Sequence, residues 1–175
     1  MGQTGGCLCA AVRYEMTAEP VMQAICHCKN CQRQADSVLS VIIALPRDGI
    51  VIEGETTTYE DIGTSGLKVW RKFCPTCGSP LFTDAEGSPD LWFVKAGSLD
   101  DTNWLSPQVQ FWTRSRQAWM PVCEHIPGME ANPGWAAVTS PRPPRRPPCP
   151  VPGRVGGSAT ATTSESRPPA TRADK

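Results

Sequence analysis

Seven of the chain's nine cysteines fall into three tight clusters: Cys7-Leu8-Cys9, Cys26-His27-Cys28-Lys29-Asn30-Cys31 and Cys74-Pro75-Thr76-Cys77. No other feature constrains the fold as hard, because thiolates grouped this way can complete a metal's coordination only if distant segments meet. In "FCPTCGSPLF" (73–82) two sulfurs stand three residues apart, and Gly78 follows to permit the tight turn that aims backbone N–H groups at sulfur. That is the spacing of a zinc knuckle. A redox Cys-Pro-x-Cys pair competes with this reading, but such chemistry wants its first cysteine at a helix N-terminus, where the dipole lowers the thiol pKa. Here a strand-like run precedes and Gly-Ser-Pro follows, so metal is the stronger reading.

A knuckle supplies two ligands of the four that tetrahedral zinc wants. Cys7 and Cys9, flanked by glycine and expected to open a strand, can present both sulfurs on one side of it. Joined to Cys74 and Cys77 they give a closed site of four thiolates, a structural zinc tying the N-terminal strand to the hairpin near residue 76. The triplet Cys26, Cys28 and Cys31 then lacks a fourth cysteine of its own. His27 lies between two of its ligands and should point away from a metal they hold. Cys123 and His125, in "WMPVCEHIPG" (119–128), are the remaining candidates, but isolated residues of these types are more often packing or surface residues than ligands. An open fourth position is therefore expected, and three protein ligands plus an exchangeable position describe catalytic zinc.

The surroundings fit this chemistry. "MGQTGG" has neither a basic nor an apolar signal region, and the apolar run "VLSVIIAL" (38–45) is too short to span a bilayer, so a cytoplasmic protein is expected. In a reducing compartment clustered cysteines are metal ligands sooner than disulfides. Residues 1–139 carry 10 Lys+Arg against 15 Asp+Glu, while residues 140–175 carry 7 against 2. The body is thus mildly acidic, which argues against nucleic acid as a partner. Half of the 18 prolines and no aromatic residue lie beyond residue 139, so 139–175 reads as a disordered Pro/Arg/Ser-rich tail and 1–138 as the folded domain.

Within that domain, strands are expected at 9–16, 21–26, 38–45, 56–62, 67–73, 80–84, 91–97 and 109–113, rich in Val, Ile, Thr and aromatics and separated by turn signals such as "PRDG" and "EGSPD". Only "CKNCQRQA" (28–35) suggests a helix, and a short one. The fold class is mainly β, as a sandwich, barrel or tent of sheets.

These motifs in this order resemble the glutathione-dependent formaldehyde-activating enzyme family, whose domain also occurs in centromere protein V. "GGCLCAAVRYE" is similar to the family's opening, "CHCKNCQR" to its centre, "FCPTCGSPLF" to its second knuckle, "AGSLDD" (96–101) to its Gly-Ser-Leu-Asp turn and "WTRSRQAW" (112–119) to its closing motif. The resemblance implies a β-tent of twisted antiparallel sheets and two Zn2+ ions per chain. Cys7, Cys9, Cys74 and Cys77 would hold the structural one, and Cys26, Cys28 and Cys31 the catalytic one. It further implies carbon–sulfur lyase chemistry, in which glutathione adds to formaldehyde to give S-hydroxymethylglutathione.

Glutathione's two carboxylates then call for cations, and Lys29, Arg33, Arg114 and Arg116 are the candidates, with Trp112 and Trp119 as possible pocket walls. Three departures stand out. Ala10 and Asp36 occupy positions where the family usually has glycine, and Gln110 one where it often has histidine, a potential acid/base group. Two rival readings remain: a zinc-stabilised binding module without turnover, and a carbon–sulfur enzyme that uses another thiol.

Overall fold

The computed structural model describes residues 2–121 and 125–131. The expected tail at 139–175, the boundary at 138 and Cys123 all lie outside these residues. Eleven strands are described: β1 Gln3–Gly6, β2 Arg13–Met16, β3 Met22–Cys26, β4 Ser40–Pro46, β5 Ile50–Glu53, β6 Thr57–Ile62, β7 Lys68–Phe73, β8 Pro80–Ala85, β9 Leu91–Lys95, β10 Val109–Phe111 and β11 Gly128–Met129. The one α-helix among the described residues, α1, spans Lys29–Ala35. Among the described residues no helix is long and apolar enough to cross a membrane.

The strands form two sheets, one ordered β1-β2-β5 and one ordered β11-β10-β3-β4-β9-β8-β7-β6. Neighbours run antiparallel except β10, which lies parallel to β3 and β11. The strand alternation of the larger sheet sorts its side chains into two cores, one on each face. Ile43 and Leu45 of β4, Phe82 of β8 and Val94 of β9 pack against Val12, Tyr14 and Met16 on the side of the smaller sheet. Ala44 of β4 and Leu91 and Phe93 of β9 turn the other way, joining Met22, Ala24 and Cys26 of β3 and Val109 and Phe111 of β10. A central strand buried on both faces needs an unbroken apolar run, which is why "VLSVIIAL" looks as it does.

Eight of the strands lie where the sequence expects them. β1, β5 and β11 lie outside the expected strands, since "QTGG" has no β-former of size, "IVIE" follows a turn signal closely and the two residues of β11 are too few to alternate. Glycine is needed in β1 for close approach: a Cβ on Gly5 would come within 2.3 Å of the Tyr14 hydroxyl. The expected strand at 9–16 begins only at Arg13. Residues 7–12 form instead the loop joining β1 to β2, closed by hydrogen bonds from Cys7 N to Val12 O (3.0 Å) and Ala10 N to Cys7 O (3.0 Å). That tight closure requires a left-handed residue, and Ala10 takes it at φ 61°.

Asp36 likewise caps α1 at φ 45°. Both departures from the family's glycines thus fall on left-handed backbone, where a Cβ is costly and aspartate is better tolerated than alanine. Ala10→Gly is expected to raise stability by about 0.5–1 kcal/mol, the relief of strain exceeding the added freedom of the unfolded chain. Urea denaturation checks this, and a loss of stability would contradict it.

The "AGSLDD" motif closes the smaller sheet onto the larger. Its first residues form a 3-10 turn over Ala96–Ser98, and Ser98 Oγ lies 2.8 Å from Tyr14 Oη. Asp100 accepts from Thr4 Oγ1 (2.6 Å) and from the Arg13 guanidinium, so it clips β1 to β2. The Arg13 hydrogen bonds hold its carboxyl down, at about 2.

Candidate functional site

The first and third cysteine clusters meet between the sheets. Cys7 and Cys9 come from the β1–β2 loop, not from a strand face as expected, and Cys74 and Cys77 from the turn between β7 and β8. All four sulfurs lie within 4.8 Å of one another. Zinc–sulfur bonds of about 2.3 Å at tetrahedral angles put neighbouring sulfurs about 3.8 Å apart. Cys7 Sγ to Cys9 Sγ is 3.5 Å and Cys9 Sγ to Cys74 Sγ is 3.7 Å, so this donor set fits tetrahedral zinc.

Backbone amides and hydroxyls support the sulfurs. Val12 N donates to Cys7 Sγ at 3.2 Å, and Leu8 N donates to Ser79 Oγ at 3.1 Å, joining the two loops. Ser79 Oγ also lies 3.2 Å from Cys77 Sγ, and this hydrogen bond brings the thiol down to about 5. Cys74 and Cys7 are core members, packed with Val12 and Tyr14. The site is closed, with four sulfurs for four positions.

The second cluster sits at one edge of the other core. Cys26 ends β3, Cys28 is the N-cap of α1 and Cys31 lies in its first turn, so an extended strand running into a short helix converges three sulfurs within 4.8 Å. Cys31 N donates to Cys28 Sγ at 3.2 Å, in the manner of an N-cap. No fourth His, Cys, Asp or Glu among the described residues joins them. His27 turns away as expected: it is buried, with Nε2 3.2 Å from Gln110 Oε1. His125 is exposed and outside the cluster.

Gln110 is not at this site. On β10 it alternates with Phe111, which pairs with Cys26 and packs beside it, so Gln110 faces the opposite side of the sheet, where its Nε2 donates to Ile126 O at 2.9 Å. A histidine on this backbone would face away from the triplet too, and the expected loss of an acid/base group at Gln110 does not apply. The closing motif instead buttresses the triplet from behind. Gln32 Nε2 donates to His27 O (2.6 Å) and Ser115 O (3.1 Å), and Ser115 Oγ donates to His27 O (2.8 Å).

The triplet opens into a cleft of about 790 Å³ on the free face of the larger sheet, floored by Phe93, Thr83 and Lys95 and bordered by the β6–β7 turn. Among the described residues, five cations line it, Lys29, Lys68, Arg71, Lys95 and Arg114, and no carboxylate residue does. Of the four cations expected at the site, Lys29 and Arg114 are there; Arg33 is exposed away from the cleft, and Arg116 lines a separate one on the far side of β10. Trp112 lines the cleft with the Arg114 guanidinium stacked 4.6 Å over its ring, whereas Trp119 is exposed and forms no wall.

Arg71 and Lys95 were not anticipated. Arg71 is spent on the protein: Nη2 and Nε donate to Asp61 Oδ2 (2.8 and 3.0 Å) and Nη1 to Gln34 Oε1 (2.9 Å). Lys95 is 5% exposed and pairs with no carboxylate among the described residues. Burial pushes its ammonium pKa down, while the charges of Cys31, Cys26 and Cys28 pull it back up. Within the triplet, Cys31 holds its proton least: it accepts from Cys26 and Cys28, and the charges of Lys95 and Arg71 favour its thiolate. Cys26 is pushed the other way, as a donor to Cys28 and Cys31 in a buried position. A signal for Lys95 did exist, since in "LWFVK" the inward set Leu91, Phe93, Lys95 puts a charge where an apolar residue belongs.

Residues 2–115 match the family model described as glutathione-dependent formaldehyde-activating enzyme. Two curated relatives carry the same description in their names. One, from Podospora anserina, is 25% identical over 112 residues, 61% of this chain and 52% of the relative. The other, from Penicillium rubens, is 26% identical over 107 residues, 58% of this chain and 56% of the relative. The chain thus matches only about half the length of these relatives. A crystal structure of a Rhodobacter sphaeroides protein is similar at 25% identity and a TM-score of 0.46, covering 58% of this chain and 91% of that one.

Proposed function

The chain belongs to the glutathione-dependent formaldehyde-activating enzyme family, and on that premise we propose that it is a carbon–sulfur lyase of S-(hydroxymethyl)glutathione synthase type, joining the sulfur of glutathione to formaldehyde. The observation that carries this reading is that, among the described residues, a three-cysteine cluster has no fourth protein ligand and sits in a cleft lined by five cations and no carboxylate. Three ligands leave room for a substrate atom, and the lining favours a polyanion. Glutathione as its thiolate carries two carboxylates, one ammonium and one sulfur charge, a net of −2. A neutral carbonyl adds nothing to that.

We assign one zinc to Cys7, Cys9, Cys74 and Cys77 as a structural ion and a second to Cys26, Cys28 and Cys31, two per chain. A zinc ion held by three thiolates is a weak Lewis acid, and what it supplies is a position where a fourth thiol ionises near neutral pH while staying nucleophilic. The chain's own residues do the rest. Lys29 and Arg114, at the border of the cleft, pair with the tripeptide's carboxylates, as does Lys68 by exchanging its exposed ion pair with Glu60 (3.0 Å) for a substrate carboxylate. Met22, Phe93, Phe111 and Trp112 give the reacting end apolar walls that exclude water. The described cysteines are free thiols, which suits a reducing compartment, and we read the protein as cytoplasmic.

Exchange NMR on glutathione and formaldehyde tests the proposal, because it reads adduct formation at equilibrium. The zinc-loaded chain is expected to accelerate exchange saturably over the uncatalysed reaction. A folded, zinc-loaded chain that leaves the rate unchanged would contradict it.

A further inference from the structure

Adding a thiolate to a carbonyl creates an alkoxide one bond from the new carbon–sulfur bond, and a water-poor cleft must stabilise that charge as it forms. Two donors on the cleft floor have no other evident task. Thr83 Oγ1 is buried with no hydrogen-bond partner among the described residues, although Thr83 lines the cleft. Lys95 is 5% exposed, lines the same cleft and has no carboxylate partner among the described residues. The sheet register places them together. Thr83 of β8 lies directly opposite Phe93 of β9, and Lys95 is two residues further along on the same face. Such diagonal neighbours are roughly 7–8 Å apart, within reach of a lysine side chain.

Lys95 also lies on the triplet's side of that floor, since it pairs with Ile42, which pairs with Ala24 on the cysteine-bearing strand β3. The nearby cation Arg71 is committed to Asp61 and Gln34, which leaves Lys95 as the buried cation on this floor that no protein carboxylate among the described residues holds.

We propose that Lys95 and Thr83 form the oxyanion site of the reaction, the ammonium and the hydroxyl both donating to the carbonyl oxygen as it becomes an alkoxide. The assignment rests on the carbon–sulfur reading above. In the step, the thiolate sulfur forms a bond to the carbonyl carbon and the C=O π pair moves to oxygen, where the two donors hold it. Oxygen then takes a proton from water, balancing the one the thiol released to water on ionising. Glutathione's own carboxylates lie at least six bonds from its sulfur, so they reach towards Lys29, Lys68 and Arg114 and not this floor.

The test uses the zinc-loaded full chain with Lys95→Met and Thr83→Val, following adduct exchange, glutathione affinity by calorimetry, zinc content and the urea midpoint. Removing one such donor typically costs about 100-fold or more in rate. Lys95→Met is therefore expected to slow exchange by about 100-fold with glutathione affinity and zinc content unchanged, and Lys95→Arg to recover part of the rate. Thr83→Val removes a buried hydroxyl that has no protein partner among the described residues, so it should slow exchange by about 10-fold while leaving the midpoint unchanged or raised. That combination is unavailable to a merely structural threonine, and it keeps the proposal testable if Lys95→Met does not fold.

Wild-type turnover with unchanged rates in both folded variants would overturn the oxyanion assignment alone. A Lys95→Met loss that appears in glutathione affinity with no loss of rate at saturation would overturn it too, making Lys95 a thiol-binding residue. A zinc-loaded wild type that neither turns over nor binds glutathione would overturn the assignment together with the carbon–sulfur reading.

Discussion

Cys74→Ser is expected to unfold the domain. Cys74 is fully buried at the point where the β1–β2 loop meets the β7–β8 turn, in the same core as Cys7, Val12, Tyr14 and Phe82. The strands it joins are far apart in sequence, and the smaller sheet has only three of them, with two of its four-residue strands meeting at the Cys7–Cys9 loop. Metal binding at a site that exists only in the folded chain is folding free energy, on the order of 10 kcal/mol for a four-ligand structural zinc. That exceeds the net stability of many domains of this size. Serine removes one ligand and leaves a buried hydroxyl where a sulfur packed. The expected result is loss of the cooperative thermal transition, with the same outcome for the wild type treated with a strong chelator. A variant that keeps a wild-type melting temperature would remove the structural role assigned to this site.

Cys28→Ser is expected to do the opposite, stopping turnover and sparing the fold. Cys28 is the N-cap of α1, its sulfur accepting from Cys31 N, and serine is a better N-cap than cysteine. The helix start should survive, as should the Gln32 and Ser115 hydrogen bonds to His27 O that hold it in place. Two thiolates in place of three, however, no longer make the site that ionises a thiol. Adduct exchange is expected to fall to the uncatalysed rate and zinc content to about one per chain, with the far-ultraviolet spectrum and the melting temperature near wild type. Retained turnover in this variant would mean that the chemistry lies elsewhere.

The contrast between the two cysteines shows what the sequence could convey. Cysteine spacing is local, so Cys74-x-x-Cys77 and the Cys26, Cys28, Cys31 triplet were legible as clusters that could hold a metal, and so was the meeting of Cys7 and Cys9 with the 74–77 pair. The geometry of the doublet was not. Two cysteines one residue apart read as a strand face, whereas the chain closes a loop there through a left-handed Ala10, a conformation that alanine does not advertise.

Strands with β-branched or aromatic residues were legible by alternation, but "QTGG" was not, because its glycines answer to the Tyr14 ring across the sheet. The cleft's lining was least legible of all. Arg33 and Arg116 are near the right motifs yet miss the cleft, because helix and turn geometry sends them outward. Arg71 and Lys95 come from strands 40 and 64 residues beyond Cys31 and arrive only through the register of β7, β8 and β9. Gln110 shows the same rule in reverse: one residue from Phe111 is the other face of the sheet.

On the proposed function, the Cys26, Cys28, Cys31 site has a position that accepts the sulfur of glutathione. Cobalt reports on it directly, because each thiolate joining the metal adds sulfur-to-cobalt charge-transfer absorption. The measurement is a glutathione titration of the cobalt-loaded protein, followed by those bands. A saturable rise, present in the wild type and absent in Cys28→Ser, is the result predicted. Bands that do not change in a folded protein carrying cobalt at both sites would mean that the triplet is closed to glutathione, and would contradict the proposed function.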